Sequence, residues 1–184
     1  MIKKIKQTAA FILQQINFKP EVGIVLGSGL GGLGTKINVI KTIAYMDIPD
    51  FPVSTVEGHS GKLLLGEFGG KYVVAMQGRF HYYEGYDMDM VTFPIRVMKF
   101  LGIHTLIVSN AAGGLNPSFR TGDIMLITDH INFFPQNPLR GKNFDELGTR
   151  FPDMTRTYNP KLIEKAKEIA KANQIKIQTG IYIG

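Results

Sequence analysis

Val22-Gly23-Ile24-Val25-Leu26-Gly27-Ser28-Gly29-Leu30-Gly31-Gly32-Leu33-Gly34 runs from an apolar segment straight into a loop with almost no side chains. The first five residues read as a buried strand. The glycines that follow tolerate positive φ and leave space for backbone N–H groups to converge on one anion. A phosphate site at the carboxyl end of a strand is therefore expected.

Working outward, residues 2–16 place Ile2, Ile5, Ala9, Ile12, Leu13 and Ile16 near helical spacing. Downstream, residues 38–47 form a β-like run closed by Pro49 and Pro52, and 62–68 and 71–77 flank Gly69-Gly70 as a hairpin. Residues 78–87 are dense in Arg, His and Tyr and lead into a helical pattern through Leu101, where Pro94 marks either the start of the helix or a kink. A strand over 104–109 ends in a second small-residue turn, Asn110-Ala111-Ala112-Gly113-Gly114. Another apolar strand covers 124–128. Residues 131–158 show no period, and loops of that length are usually functional or covered by a partner. Asn159-Pro160 starts a helix over 161–172, and a terminal strand covers 175–183. Strands alternating with helices, plus one hairpin, predict an α/β fold with a mixed central β-sheet flanked by helices, in a single domain over 1–184.

The composition narrows the partners. Among 184 residues, 21 Lys and Arg against 15 Asp and Glu leave a formal charge of +6, which favours anions. The charges are scattered with no basic stripe, so a small anionic substrate is expected and nucleic acid is not. Zero cysteines exclude disulfides, thiolate metal sites and a cysteine nucleophile. Four histidines with no His-x-x-x-His pair give no zinc pattern. No apolar run spans a bilayer and no secretory leader is evident, so a cytoplasmic setting without membrane contact is expected.

Three readings of the glycine loop stand side by side. Gly27-x-Gly29-x-x-Gly32 matches the dinucleotide fingerprint, with Asp47 about twenty residues on, and would make the chain a dinucleotide-binding oxidoreductase domain. That mechanism needs a helix opening at the glycines, whereas 33–47 reads as a strand. Gly34-Thr35-Lys36 inverts the lysine and hydroxyl order of a P-loop. The glycines could also make nothing more than a tight strand exit.

Arg79 and His81 lie at i and i+2 after the hairpin, so continued extended geometry puts both on one face. A guanidinium fork beside an imidazole suits a phosphate dianion, and Tyr83 two residues on offers a hydroxyl to a sugar. The alternative is a solvated hairpin exit carrying ordinary surface charges. His59, between two glycines in a polar loop, suits an exposed imidazole near a ligand. Ser28 opens its loop as a phosphate donor. The turn at Ala111 repeats the design of the first loop, and two such exits on parallel neighbours would face one crevice.

These residues, together with 58–61, 76–85, 109–116, 122–132, 136–141 and Arg150-Phe151-Pro152, resemble the trimeric class of purine nucleoside phosphorylases over nearly the whole chain. The resemblance implies a nucleoside phosphorylase-like fold and a pentosyltransferase that splits (deoxy)inosine or (deoxy)guanosine with inorganic phosphate. The products would be the free purine and (deoxy)ribose 1-phosphate. Phosphate is then a co-substrate and no cofactor or metal is implied. Ser28, His59, Arg79, His81 and the backbone N–H of Ala111 would bind phosphate, with Arg79 and His81 catalytic. Tyr83 would contact the ribose, and Phe151 would reach a neighbouring subunit's site in a homotrimer. Family members continue past the motif that 180–184 resembles, with the Glu and Asn that read the purine. The fold is thus expected to be C-terminally incomplete, and the 184 residues to be poorly active or to serve as a non-catalytic phosphate-binding or oligomerisation fragment.

Overall fold

The computed structural model describes residues 1–27, 29–53 and 61–184. These form two units, Met1–Ala111 and Ala112–Gly184, each described by itself. In the first, α1 (Ile2–Leu13) is followed by β1 (Val22–Leu26), β2 (Asn38–Ala44), β3 (Lys62–Phe68), β4 (Lys71–Gln77), α2 (Met88–Leu101) and β5 (Thr105–Val108). Short 3-10 turns cover Gly31–Lys36, Tyr45–Asp47 and Tyr82–Glu84.

The sheet order is β2-β3-β4-β1-β5. β2, β3 and β4 run antiparallel, while β1 lies parallel to both β4 and β5. The sheet is therefore mixed, as the hairpin and the strand-helix alternation predict. Gly69 and Gly70 turn the hairpin with φ of 59° and 74°, the positive values that a type I′ turn demands at both positions.

The two sheet faces are covered differently. Ile24, Leu26, Ile37, Leu64, Val73 and Ala75 form one apolar layer, with Leu33 of the first 3-10 turn packed against it. On the other face a Cβ at Gly23 would lie 2.9 Å from the Met98 sulfur of α2, so glycine lets the helix sit close. α1 packs on α2 and buries Ile5, Thr8, Ala9 and Ile12, a stripe at i, i+3, i+4 and i+7. Thr8 Oγ1 lies 2.9 Å from both the Lys4 and Pro49 carbonyl oxygens, which satisfies the one polar group in that stripe.

Local signals moved several boundaries. α1 stops at Leu13, short of Ile16, because Gln15 and Ile16 bond back to Ile12 and Leu13 in tighter 3-10 fashion. α2 begins at Met88, where the Asp87 carboxylate accepts from Met90 N at 2.8 Å, and Pro94 sits buried inside the helix. The cap outweighs the proline as a start signal.

In the second unit, β6 (Ile124–Ile131), α3 (Pro160–Ala172) and β7 (Ile177–Ile183) form a β-α-β crossover with parallel strands. The Asn159 carboxamide accepts from Lys161 N and Leu162 N and caps α3. β6 runs three residues past the expected Thr128, since its ladder with β7 continues to the pair Ile131 and Ile183. Between β6 and α3, Arg150 Nη1 donates to the carbonyls of Leu139 and Gly141 at 2.9 and 2.7 Å and holds that long loop to itself.

Candidate active site

Because β1, β4 and β5 are parallel, their carboxyl ends emerge at the same edge of the sheet. That edge carries Gly27, the Gly78-Arg79 segment and Ser109-Asn110. Ser109 joins all three. Its N–H and hydroxyl donate to the Val25 carbonyl at 3.2 and 3.0 Å, and its Oγ accepts from Gly27 N at 2.9 Å. Its carbonyl accepts from Arg79 Nη1 at 3.1 Å. A Cβ at Gly27 would lie 2.7 Å from the Ser109 carbonyl oxygen and 3.0 Å from Asn110 N. Glycine is required there because two chain backbones meet.

Arg79 and His81 flank Phe80 at the exit of β4. Phe80 between them is buried at 5% exposure, and His81 is extended at φ −121° and ψ 147°. Phe80 packs on Tyr45 and Phe51 with ring centroids 5.1 and 6.2 Å away, an anchor that fixes the residues on either side. The Tyr45 hydroxyl donates to the Gly78 carbonyl at 2.8 Å, one residue before Arg79. Burial pushes the Tyr45 phenol well above its ordinary pKa, so this donor stays protonated. Gly61 lies against the same ring, where a Cβ would come within 2.1 Å of Tyr45 Cδ2.

Glu84 completes the segment. Its side chain is only 2% exposed, and Oε1 accepts from the His81 backbone N–H at 3.0 Å while pairing with His81 Nδ1 at 2.6 Å. An ionised carboxylate can only accept, so Nδ1 carries the proton and Nε2 is left to face a ligand. Tyr83 stacks on the imidazole at 4.7 Å and is itself 76% exposed, with its hydroxyl available to a bound molecule. A guanidinium and a carboxylate-paired imidazole are groups that suit a compact, multiply charged oxyanion.

Ala111 lies exposed at the end of the β5 turn, with its carbonyl accepting from the Asn110 carboxamide at 3.1 Å. Ser28 and His59 lie outside the described residues. Phe151 belongs to the second unit, 85% exposed, with the Arg150 guanidinium 5.9 Å from its ring centre. That unit also carries an open groove of about 410 Å³ bordered by Phe119, Lys167, Lys171 and Gln178, and none of the candidate residues lines it. The roles of Ser109, Glu84 and Tyr45 escaped the sequence reading. His81-x-x-Glu84 has the spacing of a capping box, which is the one signal that points to the pair.

After β1 the glycines lead into the 3-10 turn Gly31–Lys36 and then the antiparallel strand β2. The α-helix on which a dinucleotide pyrophosphate rests is not found there. Among the described residues no group of three His, Cys, Asp or Glu side chains could hold a metal ion, and no helix is long and apolar enough to cross a membrane.

Residues 21–184 match the model of the Phosphorylase superfamily. The chain is 56% identical over 182 residues to purine nucleoside phosphorylase 1 of Bacillus subtilis, covering 99% of this chain and 67% of that one. This chain belongs to the purine nucleoside phosphorylase family. Another family member, purine nucleoside phosphorylase 1 of Geobacillus stearothermophilus, is 52% identical over 179 residues, covering 97% of this chain and 65% of its own. Isoform 2 of purine nucleoside phosphorylase from Schistosoma mansoni, solved in complex with cytosine and ribose-1-phosphate, superposes with a TM-score of 0.92 at 44% identity, covering 98% of this chain and 65% of that one. The chain thus spans about two thirds of the length of these phosphorylases.

Proposed function

We propose that the 184 residues supply the phosphate-handling side of a site at which a 6-oxopurine nucleoside, inosine or guanosine or their deoxy forms, undergoes phosphorolysis. The observation that carries this reading is the bond from Arg79 Nη1 to the Ser109 carbonyl, where the exits of β1 and β5 meet. Phosphate would enter as a dianion, held by Arg79, by Nε2 of His81 and by the backbone N–H of Ala111, with Ser28 and His59 as further donors. Its oxygen attacks ribose C1′ as the C1′–N9 bond breaks, and the sugar at that moment resembles a cation. The anion is both nucleophile and electrostatic partner, so fixing its position and charge supplies much of the rate. No cofactor takes part.

Glu84 would keep the proton of His81 on Nδ1 and orient Nε2 toward the anion. Tyr83 would lie along the ribose, in keeping with its exposed ring stacked on the imidazole. Phe151 would reach the site of a neighbouring subunit in a homotrimer, for which an 85% exposed aromatic is suited. A cytoplasmic location belongs to the same reading. Ribose 1-phosphate bound to the Schistosoma relative is the product this chemistry makes.

Titration with inorganic phosphate tests the reading. The 184-residue chain should bind it saturably, and Arg79→Ala should weaken binding about 30-fold, the equivalent of one charge-assisted bond of about 2 kcal/mol. A chain that ignores phosphate, or an Arg79→Ala variant that binds it as tightly as the parent, would refute the assignment. NAD should neither bind nor compete.

A further inference from the structure

We infer that Ser109 is a positioning residue for phosphate: its hydroxyl takes over the ladder bond of its own carbonyl and so releases that carbonyl to hold Arg79. In a parallel pair, a residue whose N–H donates to residue i of the neighbour normally accepts at its carbonyl from the N–H of residue i+2. Ser109 N donates to the Val25 carbonyl at 3.2 Å, so the regular donor to the Ser109 carbonyl is Gly27 N. Gly27 N instead donates to Ser109 Oγ at 2.9 Å, and the Ser109 carbonyl accepts from Arg79 Nη1 at 3.1 Å. The hydroxyl proton goes to the Val25 carbonyl at 3.0 Å, so every polar atom of the exchange is satisfied.

The consequence is specific to Arg79. Without the hydroxyl, Gly27 N reclaims the Ser109 carbonyl by a small closure of the ladder, and the guanidinium loses one of its holds. The ladder itself survives, because one backbone acceptor replaces one side-chain acceptor. Removing Oγ therefore affects where Arg79 stands more than whether the sheet forms. Threonine at 109 keeps the hydroxyl, and a strand end tolerates its extra methyl. A direct role for Oγ on the ligand is not part of this, since its donor and acceptor are both engaged inside the protein.

This rests on the phosphate reading above, and the experiment separates the two. The 184-residue chain and its variants are titrated with inorganic phosphate, with folding monitored by far-UV circular dichroism. Ser109→Ala should bind phosphate about ten-fold more weakly and Ser109→Thr within about two-fold of the parent. In an Arg79→Ala background, Ser109→Ala should add no further loss, because the serine acts through the arginine. Should Ser109→Ala fail to fold, Ser109→Cys, with a thiol that accepts only weakly, carries the same expectation. Unchanged affinity in a folded Ser109→Ala, or losses that simply add with Arg79→Ala, overturns the positioning role. Absence of binding in the parent chain overturns the phosphate reading itself and this inference with it.

Discussion

Replacing Tyr45 by phenylalanine removes one oxygen and leaves the ring, and its effect can be worked out from three observations. The ring is 1% exposed and packs on Phe51 and Phe80 with centroids 5.1 Å away in each case, so the variant makes no cavity. The hydroxyl bonds the Gly78 carbonyl at 2.8 Å, and its loss leaves that part-buried acceptor without this donor. The cost should be about 1–2 kcal/mol, which for a chain of this size lowers the melting temperature by about 2–8 °C. The pH dependence adds a second signature. Burial raises the phenol's pKa above the ordinary 10.0, so above that pH the unfolded chain releases a proton that the folded one retains. Stability from this group is complete below pH 10 and falls as pH rises beyond it. By pH 11 the parent loses about 1.4 kcal/mol that the phenylalanine variant cannot lose. The deficit of Tyr45→Phe should thus shrink between pH 8 and pH 11, as measured by urea unfolding at both. No deficit at pH 8 would show that the hydroxyl does not hold the Gly78 turn, and a deficit constant across that range would show that burial does not hold the phenol protonated.

Gly27→Ala places a methyl 2.7 Å from the Ser109 carbonyl oxygen and 2.8 Å from its carbon, and backbone cannot yield as a side-chain end does. It should cost about 2–3 kcal/mol by forcing β1 and β5 apart at their exits, and also abolish measurable phosphate binding; a melting temperature within 1 °C of the parent would contradict this. Glu84→Gln keeps the shape and the bond to His81 N but removes the charge beside Nδ1. Phosphate binding should then weaken about five-fold, because the amide no longer fixes the proton on Nδ1, and affinity equal to the parent's would detach Glu84 from the imidazole.

The elements whose identity rests on local chemistry could be read from sequence alone. Gly69-Gly70 bounded the hairpin to the residue, and Asn159-Pro160 placed the start of α3, because a turn or a cap is decided by a few adjacent residues. Of the two readings of Pro94, a helix start or a kink, the start is overturned, because the proline's cost is local while α2 is held by burial of Phe93, Val97, Met98 and Leu101. The same division runs through the site. Arg79 was legible as a strand-exit residue, since it follows the end of β4 by two positions. Ser109 was not, since its role depends on Gly27, 82 residues earlier in the chain, arriving within 2.9 Å. Glu84 sat in plain view as a surface-type residue, and only its burial to 2% shows that it works inward.

The hairpin tip has a practical consequence. β4 runs from Lys71 next to the tip to Gln77, two residues before Arg79, six steps of about 3.3 Å, so Gly69-Gly70 stands about 20 Å along the strand from its Arg79 end. A Cβ at either glycine would meet nothing within 4 Å, so the surroundings are open. A fluorophore, an affinity handle or a surface tether introduced between these two glycines would sit at the opposite end of β4 from Arg79.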